Sequence, residues 1–243
     1  MTQATTAMVL NDVTLAYRQQ PVLSRINAHI DHGTLTAVVG ANGCGKSTLL
    51  KAVAGLIKPL TGQITIAPDI HNVAYLAQVS EIDRSFPISV FDFVASGLWK
   101  KAGAFKAISA ELETRILIAL EAVGMRESAD KLIGELSGGQ FQRIRFAQLV
   151  LQEAQLFLLD EPFTGIDEFT MRDLMRLLHH WHRQGATLLV VLHDLELVRQ
   201  QFPNVWLLGQ QSILRQGDAA TCLNTYAAAH PGAKNKTGIQ EHA

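Results

Sequence analysis

The sequence predicts an α/β fold with a parallel sheet, an antiparallel β segment near the N-terminus and a mostly helical insertion. Apolar runs at residues 35–39, 156–159 and 187–192 predict the parallel sheet, because their length and continuity are typical of strands buried on both faces. Helical patterns separate these runs, as crossover connections require. Residues 80–135 contain no such run, which indicates that helices interrupt the sheet there.

The composition supports a sizeable core. Of 243 residues, 48% are hydrophobic and 18% are charged, which excludes disorder of the whole chain. The formal charge of −1 gives no support to nucleic-acid binding through bulk charge, so we expect no nucleic-acid partner. Two cysteines, Cys44 and Cys222, are too few for a disulfide scaffold or a cysteine-based zinc module.

The first elements are β. Alternating apolar residues predict two antiparallel strands over residues 8–31, with a turn at 19–21. The apolar run that follows enters a glycine-rich turn and a helix that begins near Lys46 and ends at Gly55. The remaining predicted elements are strands at 64–66 and 73–76, helices at 109–124 and 168–184, and a β-ribbon at 205–208 and 212–215. Asp194 is the predicted N-cap of a further helix.

These elements predict three regions. We expect residues 1–78 and 146–228 to form the α/β core with its β subdomain, residues 79–145 to form a helical subdomain, and residues 229–243 to form a flexible polar tail. No apolar run reaches the ~18–20 residues of a membrane span, and the N-terminal residues lack the pattern of a secretion signal. We therefore expect a cytoplasmic protein with no segment inserted into the membrane.

A glycine-rich loop carries the first chemical motif. The pattern G-x-x-x-x-G-K-[ST] follows a predicted strand and opens a helix, which is the context that a phosphate-binding loop requires. Its backbone N–H groups and the helix N-terminus attract phosphate, the lysine reaches the β- and γ-phosphates, and the serine hydroxyl ligates Mg²⁺. The predicted nucleoside triphosphate contacts here are Gly40, Ala41, Asn42, Gly43, Cys44, Gly45, Lys46, Ser47 and Thr48. The motif alone does not separate kinases, GTPases and motor ATPases.

Two acids follow the second apolar run. Asp160 ends the predicted strand at the edge where an α/β sheet binds ligands, a position suited to holding Mg²⁺. Glu161 comes next and is suited to polarising an attacking water. The alternative is an ordinary strand end that enters solvent, but the phosphate loop upstream favours the catalytic interpretation.

A second candidate anion site precedes the helix after residue 140. Ser137 is a predicted N-cap, and Gly138 and Gly139 leave the backbone N–H groups at the helix start accessible, with Gln140 next. The alternative is a glycine-containing cap without a ligand.

With these motifs in this order, the chain resembles the ATP-binding cassette (ABC) ATPases over nearly its whole length. The resemblance implies that residues 136–140 are the family's signature and that Asp160 and Glu161 are its magnesium ligand and catalytic base. It implies that Tyr17 stacks on adenine, although Tyr17 could instead pack on its strand.

The resemblance assigns three further residues. It implies that Gln78 contacts the γ-phosphate and Mg²⁺, that Asp167 contacts an opposite subunit, and that His193 senses the γ-phosphate. Gln78 as surface polarity and His193 as a satisfied strand-end histidine remain alternatives. In such ATPases two copies dimerise head to tail, and each ATP lies between the phosphate loop of one and the signature of the other.

The resemblance also narrows the type of cassette. A short insertion fits neither DNA-repair members with coiled coils nor tandem translation factors, which leaves the separate ATPase subunit of a transporter. Residues 80–90, 139–143 and 160–167 are similar to those of zinc and manganese importers. This implies a homodimer on the cytoplasmic face of the inner membrane that docks on an integral-membrane permease, with a periplasmic or extracellular metal-binding protein in the complex. An ATPase for another cargo, such as an iron chelate or lipid, and a regulatory switch without a permease stay open.

Other residues carry weaker expectations. Cys44, at a helix N-terminus near a lysine, is predicted to be a reactive thiol among the phosphate contacts. The aromatic-rich segment 86–99 either receives the permease or packs the helical subdomain. His179, His180 and His182 point in divergent directions on a helix, which favours a solvated face over a metal site.

Overall fold

The computed structural model describes residues 5–17, 20–98 and 109–229. Its N-terminal part is a three-stranded antiparallel sheet in the order β2-β1-β4, formed by β1 (Thr6–Tyr17), β2 (Gln20–Asp31) and β4 (Thr61–Ile66). The predicted strands at 8–31 are confirmed. Gln20 and Pro21, expected in the turn, already pair with Tyr17 and Ala16, while Gln19 lies outside the described residues.

The second sheet has six strands in the order β5-β6-β7-β3-β8-β9. The first five are parallel and β9 is antiparallel to β8. These strands are β3 (Leu35–Gly40), β5 (Val73–Leu76), β6 (Leu156–Asp160), β7 (Thr187–Val191), β8 (Asn204–Leu208) and β9 (Ile213–Asp218). Every residue of β3, β6 and β7 is buried, which confirms the prediction from the apolar runs. The carboxyl ends of the parallel strands meet at one edge of the sheet.

Seven α-helices are described in residues 5–17, 20–98 and 109–229. They are α1 (Lys46–Val53), α2 (Val90–Ala95), α3 (Ala110–Ala122), α4 (Gly138–Gln152), α5 (Glu168–Arg183), α6 (Leu195–Gln201) and α7 (Ala219–Ala229). Short 3₁₀ turns lie at Val79–Glu81, Ser96–Leu98, Arg126–Ser128 and Ile133–Glu135. The sequence analysis predicted α1, α3, α4, α5 and, through an expected cap at Asp194, α6, but it missed α2 and α7.

Two hydrophobic clusters cover opposite faces of the six-stranded sheet. Side chains alternate along β3, so that Ala37 and Val39 join the cluster under the helices, whereas Val38 joins the cluster shared with α1 and the antiparallel sheet. In the first cluster the rings of Phe157 and Trp181 stack with their centroids 4.3 Å apart. These two cores hold the strand ends, and the loops that follow them, in fixed positions.

In the part of the chain that the structure describes, no helix has the length and apolarity needed to cross a membrane. The expected polar tail lies outside the described residues from position 230 onward, and residue 229 still belongs to α7.

Candidate active site

The loop between β3 and α1 has the backbone shape of an anion nest. Gly43 and Gly45 have φ values of +77° and +102°, in the left-handed region that favours glycine. A Cβ on Gly45 would lie 2.9 Å from the Leu23 Cγ atom, so the position also lacks space for a side chain. Lys46 is buried, and its ammonium donates to the carbonyls of Gly40 at 2.9 Å and Ala41 at 3.0 Å.

Cys44 does not fit the expectation of a reactive thiol. Its side chain is 7% exposed and belongs to the cluster under α1, and a Cβ on Gly40 would lie 2.8 Å from its Sγ atom. The thiol therefore packs beneath the loop, away from the phosphate-facing side, and only the backbone of Cys44 contributes to the loop. This burial disagrees with the predicted reactivity, which requires that a reagent can reach the thiol.

Four polar side chains from the carboxyl ends of four strands meet beside this loop. Gln78 Nε2 donates to Ser47 Oγ and to Glu161 Oε1, each at 3.2 Å. His193 Nε2 lies 2.5 Å from the same Glu161 oxygen. These residues follow β5, β3, β6 and β7, so the parallel topology brings together what the sequence separates. Asp160, the last residue of β6, is fully buried next to them.

Glu161 occupies an uncommon backbone conformation. Its φ is +50°, in a region that non-glycine residues rarely adopt, and such positions cluster at functional sites. Thr164 supports the turn, because its N–H donates to the Glu161 carbonyl and its hydroxyl lies 3.3 Å from Glu161 Oε2. The turn aims the carboxylate at Gln78 and His193.

These groups line a cleft of about 730 Å³, large enough for a nucleotide. Of the described residues, its walls are Val22, Asn42, Gly43, Gly45, Lys46, Ser47, Thr48, Gln78, Glu161, Thr164 and His193. Tyr17, at the end of β1, is 60% exposed and does not line the cleft. This exposure disfavours the alternative that its ring packs on the strand. Val22 and Thr164 were not predicted; a polar side chain three residues after Glu161 was the available signal for Thr164.

The predicted cap of α4 is confirmed. Ser137 Oγ accepts from the Gln140 N–H at 3.2 Å, while the Gln140 side chain accepts from the Ser137 N–H at 3.0 Å. This reciprocal pair is a capping box. Ser137, Gly138 and Gln140 are exposed and, like the rest of residues 136–140, do not line the cleft.

The start of α4 lies against the loop before α5. A Cβ on Gly139 would lie 3.3 Å from Asp167 Oδ2, and one on Gly138 would lie 3.3 Å from the Gly165 carbonyl. Asp167 caps α5, where it accepts from the Thr170 N–H at 2.9 Å and the Thr170 hydroxyl at 2.8 Å. These hydrogen bonds lower the pKa of Asp167. The predicted signature and Asp167 thus share one surface, separate from the cleft.

The structure shows which residues of the aromatic segment 86–99 pack in the core and which are exposed. Phe93 is buried, with its ring centroid 5.5 Å from that of Phe141, so it packs the core. Phe91 is partly buried against the same cluster, whereas Phe86 is 63% exposed. Trp99 lies outside the described residues.

The described histidines and acids form no metal cluster. In residues 5–17, 20–98 and 109–229, no group of three or more His, Cys, Asp or Glu side chains could hold a metal ion. His179 instead hydrogen-bonds Gln201 at 2.9 Å.

A mixed α/β sheet whose central strand leads into this loop, with two acids at the end of a parallel strand nearby, defines a P-loop nucleoside triphosphatase. The model of the ABC transporter family matches residues 23–164, more than half of the chain. This protein belongs to the ABC transporter family and is one of its ATP-binding, ATP-hydrolysing subunits, as the resemblance implied.

Relatives and structural neighbours agree with this. The chain is 41% identical over 212 residues to the zinc transport system ATP-binding protein TroB of Treponema pallidum, covering 85% of this chain and 80% of TroB. It is 40% identical over 211 residues to the manganese transport system ATP-binding protein MntB of Listeria monocytogenes, covering 85% and 88%. A solved structure in an inward-facing conformation, assigned to a metal-chelate type ABC transporter, has a TM-score of 0.82 at 26% identity, covering 92% of this chain and 88% of that chain.

Proposed function

We propose that this protein powers an importer of a transition metal ion, zinc or manganese, by binding and hydrolysing ATP. The assignment of the cargo rests on one observation. The chain is 41% and 40% identical to a zinc and a manganese transport ATPase, each over 85% of its length. In this proposal the metal ion is cargo of the permease and never contacts the ATPase.

The cleft holds the nucleotide. The amides of residues 40–48 and the Lys46 ammonium face the phosphates, since a left-handed glycine loop at a helix N-terminus favours anions. Lys46 exchanges its bonds with the Gly40 and Ala41 carbonyls for phosphate oxygens. The exposed ring of Tyr17 stacks on the adenine.

The oxygen donors beside the phosphates suit Mg²⁺. Magnesium prefers hydroxyl, carbonyl and carboxylate oxygens, which Ser47, Gln78 and Asp160 supply. Gln78 Nε2 donates to Ser47 Oγ at 3.2 Å, so the amide would rotate to offer its oxygen to the ion. When bound, Mg²⁺ neutralises charge that develops on the phosphates. These three side chains would hold the ion at the carboxyl edge of the sheet.

Glu161 acts as the general base. Its carboxylate accepts a proton from the attacking water, and a base within hydrogen-bond reach of the water contributes about 10²–10⁴-fold to the rate. His193 and Gln78 both contact Glu161 Oε1, so they hold the carboxylate in one orientation.

A second copy completes the site. Ser137, Gly138, Gly139 and Gln140 present the N-terminus of α4 to solvent, and in one chain they do not line the cleft. In a head-to-tail homodimer this N-terminus, with Asp167 beside it, reaches the γ-phosphate of the opposite subunit. ATP then stabilises the closed dimer, and loss of the γ-phosphate opens it.

The dimer works on the cytoplasmic face of the inner membrane, bound to a separate permease that receives metal from a periplasmic or extracellular binding protein. We propose residues 79–145 as the helical subdomain that carries the signature and the permease contact, with residues 1–78 and 146–228 as the ATP-binding core. The exposed Phe86 is a contact residue for the permease.

A metal chelate is the second candidate cargo, which the likeness to a structure assigned to the metal-chelate type favours. That likeness has 26% identity, against 41% and 40% for the zinc and manganese ATPases. Free ions therefore remain the preferred cargo.

Uptake measurements test the proposal. In the source organism, deletion of this chain should abolish high-affinity accumulation of zinc or manganese, and the wild-type chain should restore it while Glu161→Gln should not. Unchanged accumulation of both ions, together with a loss of chelate uptake, would overturn the ion assignment in favour of the chelate.

A further inference from the structure

Two buried polar side chains of α4 connect the chain next to Gln78 with the chain next to Glu161. Gln142 and Arg145 are each 1% exposed, and they lie three residues apart on one face of the helix. Arg145 Nη1 donates to Gln142 Oε1 at 2.8 Å. A charged and a polar side chain buried to this extent require partners, and theirs are specific.

Those partners flank the two proposed active-site side chains. Arg145 Nη2 donates to the carbonyl of Ala77, the residue before Gln78. Gln142 Nε2 donates to the carbonyl of Pro162, the residue after Glu161, at 2.5 Å. A single row of hydrogen bonds therefore runs from the Gln78 loop, through the helix that begins at the signature, to the Glu161 turn.

The geometry at each end depends on small backbone displacements. Glu161 has a φ of +50°, a conformation that persists only where the surroundings hold it, and the bond to Pro162 fixes the turn directly after it. The 3.2 Å contact between Gln78 and Glu161 forms only if both loops keep their positions. The hydrogen bonds of Gln142 and Arg145 thus fix the distance between the Gln78 loop and the Glu161 turn.

We propose that Gln142 and Arg145 are positioning residues for ATP hydrolysis, which hold the Gln78 loop and the Glu161 turn in register and join both to the signature helix. Neither side chain lines the cleft, so both act through backbone. This inference rests on the proposed roles of Gln78 and Glu161. It assigns a function to two polar positions that helical spacing alone does not distinguish from packing.

The sharpest variant is Gln142→Glu in the full-length chain. It keeps the size of the side chain and the acceptor for Arg145, and it removes the donor to the Pro162 carbonyl. We expect kcat to fall about 10- to 100-fold, because small misplacement of reacting groups has effects of this size, while the affinity for ATP changes less than about twofold. Arg145→Lys should act in the same direction, since an ammonium lacks the planar fork that reaches both acceptors.

The matched control is Gln148→Glu on the same helix. Gln148 Nε2 also donates to a carbonyl, that of Phe93 at 2.6 Å, and to Ser96 Oγ at 3.0 Å, but neither partner adjoins the active site. This variant should keep kcat within about twofold of wild type, as expected for a helix contact remote from the reacting groups.

Folding and function are separated by the double variant Gln142→Met/Arg145→Met. Each single methionine variant leaves the other side chain buried without its partner in the bond between Gln142 and Arg145. The double variant removes both side chains of this bond, so it should recover part of the lost thermal stability without recovering kcat. Parallel loss and recovery of stability and kcat would overturn the proposal, as would equal kcat values for Gln142→Glu and Gln148→Glu. The proposed roles themselves are tested separately by wild-type turnover and its loss in Glu161→Gln.

Discussion

Gln78 Nε2 donates a hydrogen bond to Glu161 Oε1 at 3.2 Å across 83 positions of sequence. The contact exists because β5 and β6 are parallel neighbours, so that the residues after each strand lie at the same edge of the sheet. Ser47 and His193 join them from the ends of β3 and β7. Side chains that follow four strands therefore meet here, and two of them, Gln78 and His193, contact the Glu161 carboxylate.

Replacing Glu161 by glutamine should abolish turnover and preserve ATP binding. The amide keeps the shape of the side chain and an oxygen for Gln78, but it cannot take a proton from water, so we expect a loss of about 10²–10⁴-fold. Phosphate release measures turnover, and size-exclusion chromatography in ATP should show a trapped dimer. Glu121→Gln, in an exposed ion pair with Arg126, is the control and should hydrolyse ATP at the wild-type rate. A variant that remains monomeric in ATP would contradict the dimer mechanism.

Most of the sheet and the ATP cleft could be predicted because short, continuous segments of the sequence determine both. The buried strands appear as continuous apolar runs, and the phosphate loop requires its glycines within eight consecutive residues. Two helices were missed for physical reasons. α2 (Val90–Ala95) spans only six residues, too short for a period, and α7 (Ala219–Ala229) is rich in alanine, which shows no apolar face.

The missed parts of the site depend on long-range contacts. Gln142 and Arg145 have backbone carbonyls as partners, and no side chain at positions 77 or 162 indicates them. The Cys44 thiol packs in the hydrophobic cluster shared with α1, and the motif does not specify the direction of each side chain in the loop. Phe93 and Phe86 could not be separated before helix α2 was known.

Phe93→Ala and Phe86→Ala should have opposite consequences. Phe93 is 9% exposed and packs on Phe141, so truncation should lower the free energy of unfolding by about 3–5 kcal/mol. Phe86 is 63% exposed, so its truncation should change that free energy by less than about 0.5 kcal/mol and weaken binding to the permease. Urea unfolding and co-purification with the permease measure the two effects. Full permease binding by Phe86→Ala would place the docking surface elsewhere.

The cap at Asp167 should make part of the stability depend on pH. Its bonds with Thr170 lower the pKa of Asp167 below the ordinary value of 3.8. A group with a lowered pKa in the folded state contributes fully above the unfolded value and loses that contribution as pH falls through the folded value. Asp167→Ala should therefore lower the urea midpoint near neutral pH, and the difference from wild type should shrink below pH 3.8.

A neutral cap provides the control for this pH dependence. Ser109 caps α3 by accepting from the Leu112 N–H at 3.2 Å, and its hydroxyl does not titrate in this range. Ser109→Ala should cost about 1 kcal/mol at every pH. A difference between wild type and Asp167→Ala that stays constant from neutral pH to below pH 3.8 would show that hydrogen bonds to the ionised carboxylate do not cause the effect.

Mixing two inactive variants should restore hydrolysis if each ATP lies between two copies. Lys46→Ala removes the ammonium of the phosphate loop, and Gly138→Asp places a negative charge at the signature where it would repel the γ-phosphate. In a mixed dimer one site combines both defects, while the other combines an intact phosphate loop with an intact signature. With random pairing and one intact site sufficient for turnover, an equimolar mixture should recover roughly a quarter of the wild-type rate.

The same mixture distinguishes this arrangement from a site within one chain. If each chain used its own signature, every site in every dimer would carry one defect, and mixing would restore nothing. Each variant measured alone gives the baseline. Because a Cβ on Gly138 would lie 3.3 Å from the Gly165 carbonyl, circular dichroism must show that Gly138→Asp keeps the wild-type helix content. An acid in the first turn of α4 favours its dipole. The exposed capping box of Ser137 and Gln140, outside the cleft of its own chain, leads us to expect recovery.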